Sequence, residues 1–377
     1  MPRSRTAATV PGRAAPPPAG PGASLSVGLS AVIVAASVQE ARVLTIRLPA
    51  GRAPGSGGGP AEAVEALPSG PLEAEHRTLE IGLRAWVERQ TNERLGYVEQ
   101  LYTFGDRDRA LGEGALGEGA LGDGALPLPA LVVAYLALVR EARPAMPDAE
   151  LGLRVLAQGA GAPDAEWQSW YRFVPWEDWR GGKPPLLGPI EAALERWAGH
   201  SVGDAERRLR RERLGLAFGL SGAAWNEELV LERYELLYEA GFVAEAARDL
   251  GRSTDGVTVD EIGAGKAMAL DHRRILATAI GRLRGKIKYR PVVFELMPPA
   301  FTLLQLQRTV EALGGVRLHK QNFRRLIEQQ GLVEETGEVS AATGGRPARL
   351  VRFRREVLLE RPAPGLRMRA GRRATAG

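Results

Sequence analysis

Apolar positions recur with two different periods along this chain, and the change of period divides it. Leu25 to Ala36 and Ala41 to Leu48 are dense in Val, Ile, Leu and Ala over short lengths, which predicts a pair of β-strands. Leu95 to Phe104 and Ala130 to Val139 read as strands in the same way. Between them, Glu73 to Gln90 places Leu79, Leu83, Trp86 and Val87 on one helical face. From Glu191 onward the helical period takes over. It predicts helices over Glu191–Trp197, Ala205–Phe218, Trp225–Leu250 and Gly263–Leu283, whose apolar faces need each other or a second subunit.

The C-terminal fifth, Phe301 to Arg355, carries the most specific pattern. Thr302 with Gln305 three positions on forms a capping-box signature, and Leu303, Leu306, Val310 and Leu313 follow at helical spacing. Gly314-Gly315 suits a sharp reversal. A second helix, His319 to Gln330, keeps Phe323, Leu326 and Ile327 inward. It exposes Lys320, Arg324 and Glu328 as one row, with Gln321, Asn322 and Arg325 beside them. Gly331 closes it. Leu332-Val333 and Ala348 to Arg354 read as two strands around a loop from Thr336 to Arg346, tipped by Thr343-Gly344-Gly345-Arg346-Pro347. This order is that of a winged helix-turn-helix, which points to double-stranded DNA. The fold class expected for the whole chain is an α/β (α+β) N-terminal domain, a helical connector and this C-terminal winged helix-turn-helix.

Charge agrees. Residues 286–377 hold 18 Lys and Arg against 8 Asp and Glu, a net of +10, whereas the whole chain is +5. The first 285 residues are therefore about −5, and a basic segment on an acidic remainder suits phosphate binding through counterion release. Lys320, Gln321, Asn322, Arg324 and Arg325 are the expected contacts from the recognition helix. Asn322 and the arginines are able to make bidentate base contacts, and Arg346 and Arg349 in the wing would hold the backbone or minor groove. Winged helices also serve as protein-interaction modules. That alternative predicts no salt-dependent DNA affinity.

Composition removes other classes. The absence of cysteine excludes disulfides, thiol nucleophiles and thiolate metal sites. The four histidines, His76, His200, His272 and His319, have no metal-ligand spacing and read as surface or helix-face residues. Residues 1–23 are Pro-, Ala-, Gly- and Arg-rich and read as a disordered tail. Ser26, Gly28 and Ser30 interrupt the apolar run that follows, so it does not read as a secretory signal, and no segment reaches the ~18 apolar residues of a membrane span. A cytoplasmic location is expected. Pro49 to Pro60 is a Gly/Pro loop, and residues 107–129 are a low-complexity loop built on Leu-Gly-Glu-Gly-Ala repeats. Trp167, Trp170, Trp176 and Trp179 gather with Tyr171 and Phe173. They suggest a structural lid on the N-terminal domain or, alternatively, an aromatic box for a base.

A strand, a Pro-Ser-Gly turn and a helix over residues 67–92, followed by Gly96-Tyr97-Val98-Glu99-Gln100-Leu101-Tyr102-Thr103-Phe104-Gly105, resemble a Nudix domain. Nudix hydrolases need G-x5-E-x7-R-E-U-x-E-E-x-G-U, whose glutamates hold Mg²⁺ on a diphosphate. With Gly70 as the first glycine, His76 falls at the first glutamate and Arg84 at the arginine. Ala85, Glu88, Arg89 and Thr91 then fill the remaining Glu, Glu, Glu and Gly positions. Aligning Thr91-Asn92 with the end of the box instead puts Trp86, Arg89 and Gln90 at the glutamates. One frame keeps a single metal-binding carboxylate and the other keeps none, so no metal and no catalytic residue is expected. An active hydrolase of ADP-ribose or another nucleoside diphosphate derivative is the alternative.

Two blocks, residues 67–107 and 267–354, carry a resemblance to a family. The second includes Leu270-Asp271-His272, Arg282-Leu283-Arg284-Gly285-Lys286, Tyr289-Arg290-Pro291-Val292-Val293-Phe294-Glu295-Leu296, Asn322-Phe323-Arg324-Arg325 and Gly345-Arg346-Pro347-Ala348-Arg349-Leu350. Together they resemble the Nudix-related transcriptional regulators of NAD metabolism, the NrtR family, with middle helices like its NadQ branch. The resemblance implies a homodimeric repressor of NAD biosynthesis genes on palindromic operators. It also implies a degenerate Nudix-like sensor over 24–183 for a nucleotide effector such as ADP-ribose, with no required cofactor. A connector over 184–284, the winged helix over 285–358 and a basic tail over 359–377 complete the expected division. Arg84 and Arg89 could pair with the effector's phosphates, or lie on an exposed helix face.

Overall fold

The computed structural model describes residues 27–48, 63–105, 131–140, 165–200, 203–250, 264–340, 347–361 and 364–366. The expectations for residues 1–23, 49–60 and 107–129, and for Arg346 at the wing tip, lie outside them.

β1 (Val27–Ala36), β2 (Ala41–Leu48), β3 (Val64–Ala66), β5 (Tyr97–Gly105) and β6 (Leu131–Leu138) form a mixed sheet in the order β3-β2-β1-β6-β5. β4 (Ser69–Pro71) adds to β1, and β7 (Ala165–Ser169) adds to β2. β1 and β6 run parallel in register from Val27↔Leu131 to Val34↔Leu138, and the other pairs are antiparallel. Both faces of β1 are buried. Leu29, Ala31, Ile33 and Ala35 pack with Leu83 and Val87 of α1 (Leu79–Thr91), whereas Val32, Val34 and Ala36 face the rest of the molecule. A strand covered on both faces needs apolar side chains at every position, which is why it reads as a continuous run rather than an alternation.

The second face of the sheet carries most of the core. Trp170, Phe173 and Trp176, in two short 3₁₀ turns (Trp170–Arg172 and Pro175–Glu177), are fully buried there. Around them pack α2 (Leu187–Gly199), α3 (Asp204–Phe218), α4 (Val230–Glu239), α5 (Ala244–Leu250) and α6 (His272–Tyr289). The same core runs on into α7 (Leu303–Gly314) and α8 (Lys320–Gln330) through Leu306, Val310, Leu313, Phe323 and Ile327. β8 (Val333–Ser340) and β9 (Ala348–Phe353) complete the winged unit, and α9 (Val357–Glu360) follows.

Several expectations shift. The helix expected from Glu73 starts at Leu79, because Thr78 caps it by accepting the Ile81 N–H. Trp225–Leu250 is two helices separated by Gly241 at φ 80°. The helix expected over Gly263–Leu283 begins at His272 and runs on to Tyr289, so the expected boundary at 284/285 falls inside it. Residues 264–271 are instead an extended strap. Lys266 N–H donates to Arg172 O (2.9 Å), Ala269 N–H donates to Glu65 O (2.8 Å), and Gly265 at φ 75° lets the chain press against Phe173 and Pro175. His272 is not a surface residue; it is buried, and its Nδ1 accepts the Leu67 N–H at 3.0 Å. The aromatic segment is core rather than lid or open box, with no exposed ring face on Trp170 or Trp176. The wing strand expected to end at Val333 continues to Ser340 past an irregularity between Glu335 and Val339. The basic tail expected from 359 is still structured at Leu366, which is fully buried and donates its N–H to Ile287 O at 2.8 Å. Among the described residues no helix is long and apolar enough to cross a membrane.

Candidate nucleic-acid interface and sensor module

The recognition unit is built from capped helices. Thr302 Oγ1 accepts the Gln305 N–H (3.1 Å), and Gln305 Oε1 accepts the Thr302 N–H (2.7 Å), completing the box at the start of α7. Gly315 at φ 71° and Gly331 at φ 55° end α7 and α8 in the left-handed conformation that favours glycine. The turn between the helices is pinned by Glu311, whose carboxylate accepts Leu318 N–H and Gln307 Nε2 (both 2.9 Å) and Arg317 Nη1 (3.0 Å).

With Phe323 and Ile327 held inward, Lys320, Gln321, Asn322, Arg324 and Arg325 are all exposed on α8. Lys320, Arg324 and Glu328 line the groove between α8 and the wing, together with Glu335 and Arg349. Gln321 and Arg325, one turn apart, lie around the helix on the side away from the core. Arg324 is steadied by Glu328 at 2.8 Å, and Arg349 by Glu335 at 2.7 Å. Lys320 and Arg325 have no carboxylate partner among the described residues. Such exposed pairs contribute little to stability but hold a guanidinium extended, and a phosphate is able to displace the carboxylate. No side chain caps the N-terminus of α8, so its first N–H groups face outward as well.

In the N-terminal domain, Arg84 and Arg89 project from α1 but do not converge. Arg84 donates to Glu80 (2.8 Å) and Gly96 O (3.1 Å), and also to Leu95 O, tying the helix to the start of β5. Arg89 pairs with Glu73 at 3.1 Å and stacks over the Trp86 ring at 4.1 Å. Trp86 in turn covers Gly70 so closely that a Cβ there would meet its ring at 2.1 Å. A guanidinium thus stands beside Glu73 and His76, and Glu88 is engaged by Arg94 at 3.1 Å. With Glu73 engaged by Arg89 and Glu88 by Arg94, this donor set offers no cluster of free carboxylates of the kind a magnesium ion takes. Among the described residues, no group of three or more His, Cys, Asp or Glu is placed to hold a metal.

Sequence reasoning missed the contacts that join the N-terminal domain to the winged helix. The last carbonyls of α7 are capped from outside it. Tyr171 Oη–H donates to Ala312 O (2.6 Å), Arg284 Nε to Leu313 O (3.1 Å), and Trp179 N–H to Gly315 O (2.7 Å). Glu177 lies behind them, fully buried, gripped by Arg233 at 2.5 and 3.0 Å and by Arg284 at 2.5 Å. Burial alone would lower the Arg284 pKa, but the Glu177 carboxylate holds it above the usual value. At the far end of the sheet, Lys286 binds Glu99 and donates to Tyr97 Oη (2.7 Å). No spacing in the sequence marks these residues, because their partners lie up to 189 positions away.

Residues 293–353 match the family described as the NrtR DNA-binding winged helix domain. The C-terminal unit is thus similar to the winged helix of that family. Across 86 residues the chain is 44% identical to the "ADPR responsive transcriptional repressor NtrR" of Acinetobacter baylyi, a stretch that covers 23% of this chain and 34% of that relative. The chain therefore matches about a third of that relative's length. Shewanella oneidensis NrtR complexed with a 27mer DNA is similar at a TM-score of 0.45 and 18% identity, over 88% of this chain and 94% of that one. A MutT/nudix family protein from Enterococcus faecalis gives a TM-score of 0.45 and 15% identity over 89% of each chain. The matched range includes Lys320, Gln321, Asn322, Arg324, Arg325 and Arg349.

Proposed function

We propose that this protein is a DNA-binding transcriptional regulator, a repressor of NAD biosynthesis genes, that senses a nucleotide such as ADP-ribose through a non-catalytic Nudix-like module. The observation that carries the reading is an NrtR-type winged helix whose recognition helix exposes Lys320, Gln321, Asn322, Arg324 and Arg325. In that reading α8 enters the major groove, with Asn322 and Arg325 at base edges and Lys320, Arg324 and Arg349 on flanking phosphates. Arg346 in the wing tip would add a backbone or minor-groove contact. A homodimer would place two such helices on a palindromic operator, one or more turns apart. The repressor named above is described as responsive to ADP-ribose, which supports that effector class.

Sensing without hydrolysis is supported by Arg89, which occupies a position where a magnesium-binding carboxylate would be needed. Arg89 is about half exposed and would meet a phosphate of the effector directly, while Arg84 positions the helix against β5. A cytoplasmic location follows from a role on chromosomal DNA. The effector can shift DNA affinity only by its differential affinity for the free and DNA-bound arrangements. The test is fluorescence anisotropy on duplexes from promoters of NAD-synthesis genes, with and without ADP-ribose, beside a phosphate-release assay with Mg²⁺ and ADP-ribose. Specific binding that changes with ADP-ribose, without turnover, is expected; rapid magnesium-dependent turnover without DNA affinity would overturn the reading.

A further inference from the structure

A polar cleft of about 260 Å³ opens between the β1–β2 turn and α7, lined by Val38, Gln39, Arg180, Arg308, Glu311 and Arg317. We propose that this cleft is a phosphate-binding site held jointly by the sensor module and the winged helix. Three guanidinium groups from three separate segments converge on it: the stretch after the second 3₁₀ turn, the body of α7, and the turn before α8.

The two carboxylates nearby hold these arginines in place and are themselves satisfied. Asp178 receives Arg180 Nε and Nη2 (both 2.8 Å) and the Arg180 N–H (3.2 Å). Arg180 also donates to Gln39 O and lies over the Tyr171 ring at 4.9 Å, so its side chain is fixed as a wall. Glu311 is buried and saturated by Gln307, Leu318 and Arg317, and Arg317 Nε donates to Arg180 O at 3.3 Å. The side chain of Arg317 is 67% exposed, which leaves N–H groups beyond these bonds to meet an anion. Arg308 is exposed on the same side of α7 and has no carboxylate partner among the described residues. Two of the three cations are therefore neutralised and pre-oriented, and the third is the excess charge that an anion would match. The volume admits a phosphate with its neighbouring atoms and is too small for a whole dinucleotide.

A phosphate here would touch the sensor side through Arg180 and the winged side through Arg308 and Arg317. Its source is either a free phosphorylated small molecule or the DNA backbone beside the recognition helix. Calorimetric titration of pyrophosphate into the full chain at fixed ionic strength tests the first source. Duplex affinity across a salt series tests the second, and that arm rests on the proposed function. Arg308→Ala and Arg317→Ala are compared with wild type and with Arg208→Ala, an exposed arginine on α3 that does not line the cleft.

Saturable pyrophosphate binding that persists in Arg208→Ala and weakens roughly tenfold or more in Arg308→Ala supports the site with a free ligand. Absence of free-anion binding, with duplex affinity reduced and the salt slope lowered by about one in Arg308→Ala, supports it with DNA as the source. Pyrophosphate binding and duplex affinity both unchanged in Arg308→Ala and Arg317→Ala overturn it. Pyrophosphate binding that depends on Arg308, in a protein indifferent to DNA, would keep the site and remove the proposed function instead.

Discussion

Replacing Glu177 by alanine probes the junction on which the N-terminal domain and the winged helix both rest. The carboxylate is fully buried and receives three charged donors, two from Arg233 and one from Arg284, and both of these side chains are buried too. Removing it leaves two buried guanidinium groups whose remaining acceptors are carbonyls: Ala217 O and Asn226 O for Arg233, Leu313 O and Glu227 O for Arg284. Breaking a buried ion pair by deleting one partner costs roughly 3–5 kcal/mol, and the carbonyls that remain keep the figure inside that range rather than doubling it for two arginines. Urea unfolding of the full chain, followed by tryptophan fluorescence, reads the change directly. Trp225 reports at the spot, since Arg233 lies 3.9 Å over its ring and Trp179 stands 4.6 Å from it. Glu177→Gln, which keeps the shape and one acceptor oxygen, should lose less. The triple replacement Glu177→Leu, Arg233→Met, Arg284→Met removes the uncompensated charge but takes the arginine donors from Ala217 O, Asn226 O, Leu313 O and Glu227 O, so it should recover only part of the loss. A Glu177→Ala protein within about 1 kcal/mol of wild type would refute the idea that this carboxylate holds the junction.

Three further outcomes follow from other sites. Gly281→Ala would put a Cβ 2.6 Å from Glu228 O, and a backbone carbonyl cannot swing away. The clash of roughly 1–3 kcal/mol should outweigh the ~1 kcal/mol gained in helix propensity, lowering the melting temperature; an unchanged or raised value would contradict it. Burial alone would raise the carboxyl pKa values of Asp178 and Glu227, but Arg180 and Lys288 respectively outweigh it and hold them below the usual range. Both groups therefore contribute stability that is present above the unfolded carboxylate pKa and lost as pH falls through the folded values. Asp178→Asn should flatten the acid limb of a stability–pH curve, and an unaltered limb would contradict this. Arg325→Ala should weaken binding by roughly 10- to 150-fold on the preferred duplex and relax base preference there, whereas Arg349→Ala should weaken all duplexes alike; the reverse pattern in anisotropy titrations would exchange their roles.

What could be read from the sequence depended on how local its cause was. The winged unit was legible because capping box, glycine C-caps and apolar spacing all act within a few residues, and Thr302, Gln305, Gly315 and Gly331 do what their positions imply. β1 and β6 were legible because burial on both faces removes polar residues from them. The start of α6 was missed because 264–271 is apolar enough to imitate helix, while its N–H groups go to Arg172 O and Glu65 O, partners that spacing cannot reveal. The groove that the Lys320, Arg324 and Glu328 row shares with Glu335 and Arg349 was hidden for a similar reason, because the wing that forms its other wall is distant in sequence. Nothing in their local sequence marks Glu177, Arg233 and Arg284 as interior; only the tertiary fold buries them.

The most direct test of the central claim, that the C-terminal unit grips duplex DNA through its basic recognition helix and wing, is the affinity of the full chain for a labelled duplex at 50 and 200 mM salt. If six to ten phosphates are neutralised, affinity should fall by roughly 10³- to 10⁵-fold between those concentrations, and an Arg324→Ala, Arg325→Ala double variant should bind weakly at both. No binding at the lower salt, or an affinity indifferent to salt and to both arginines, would contradict the account.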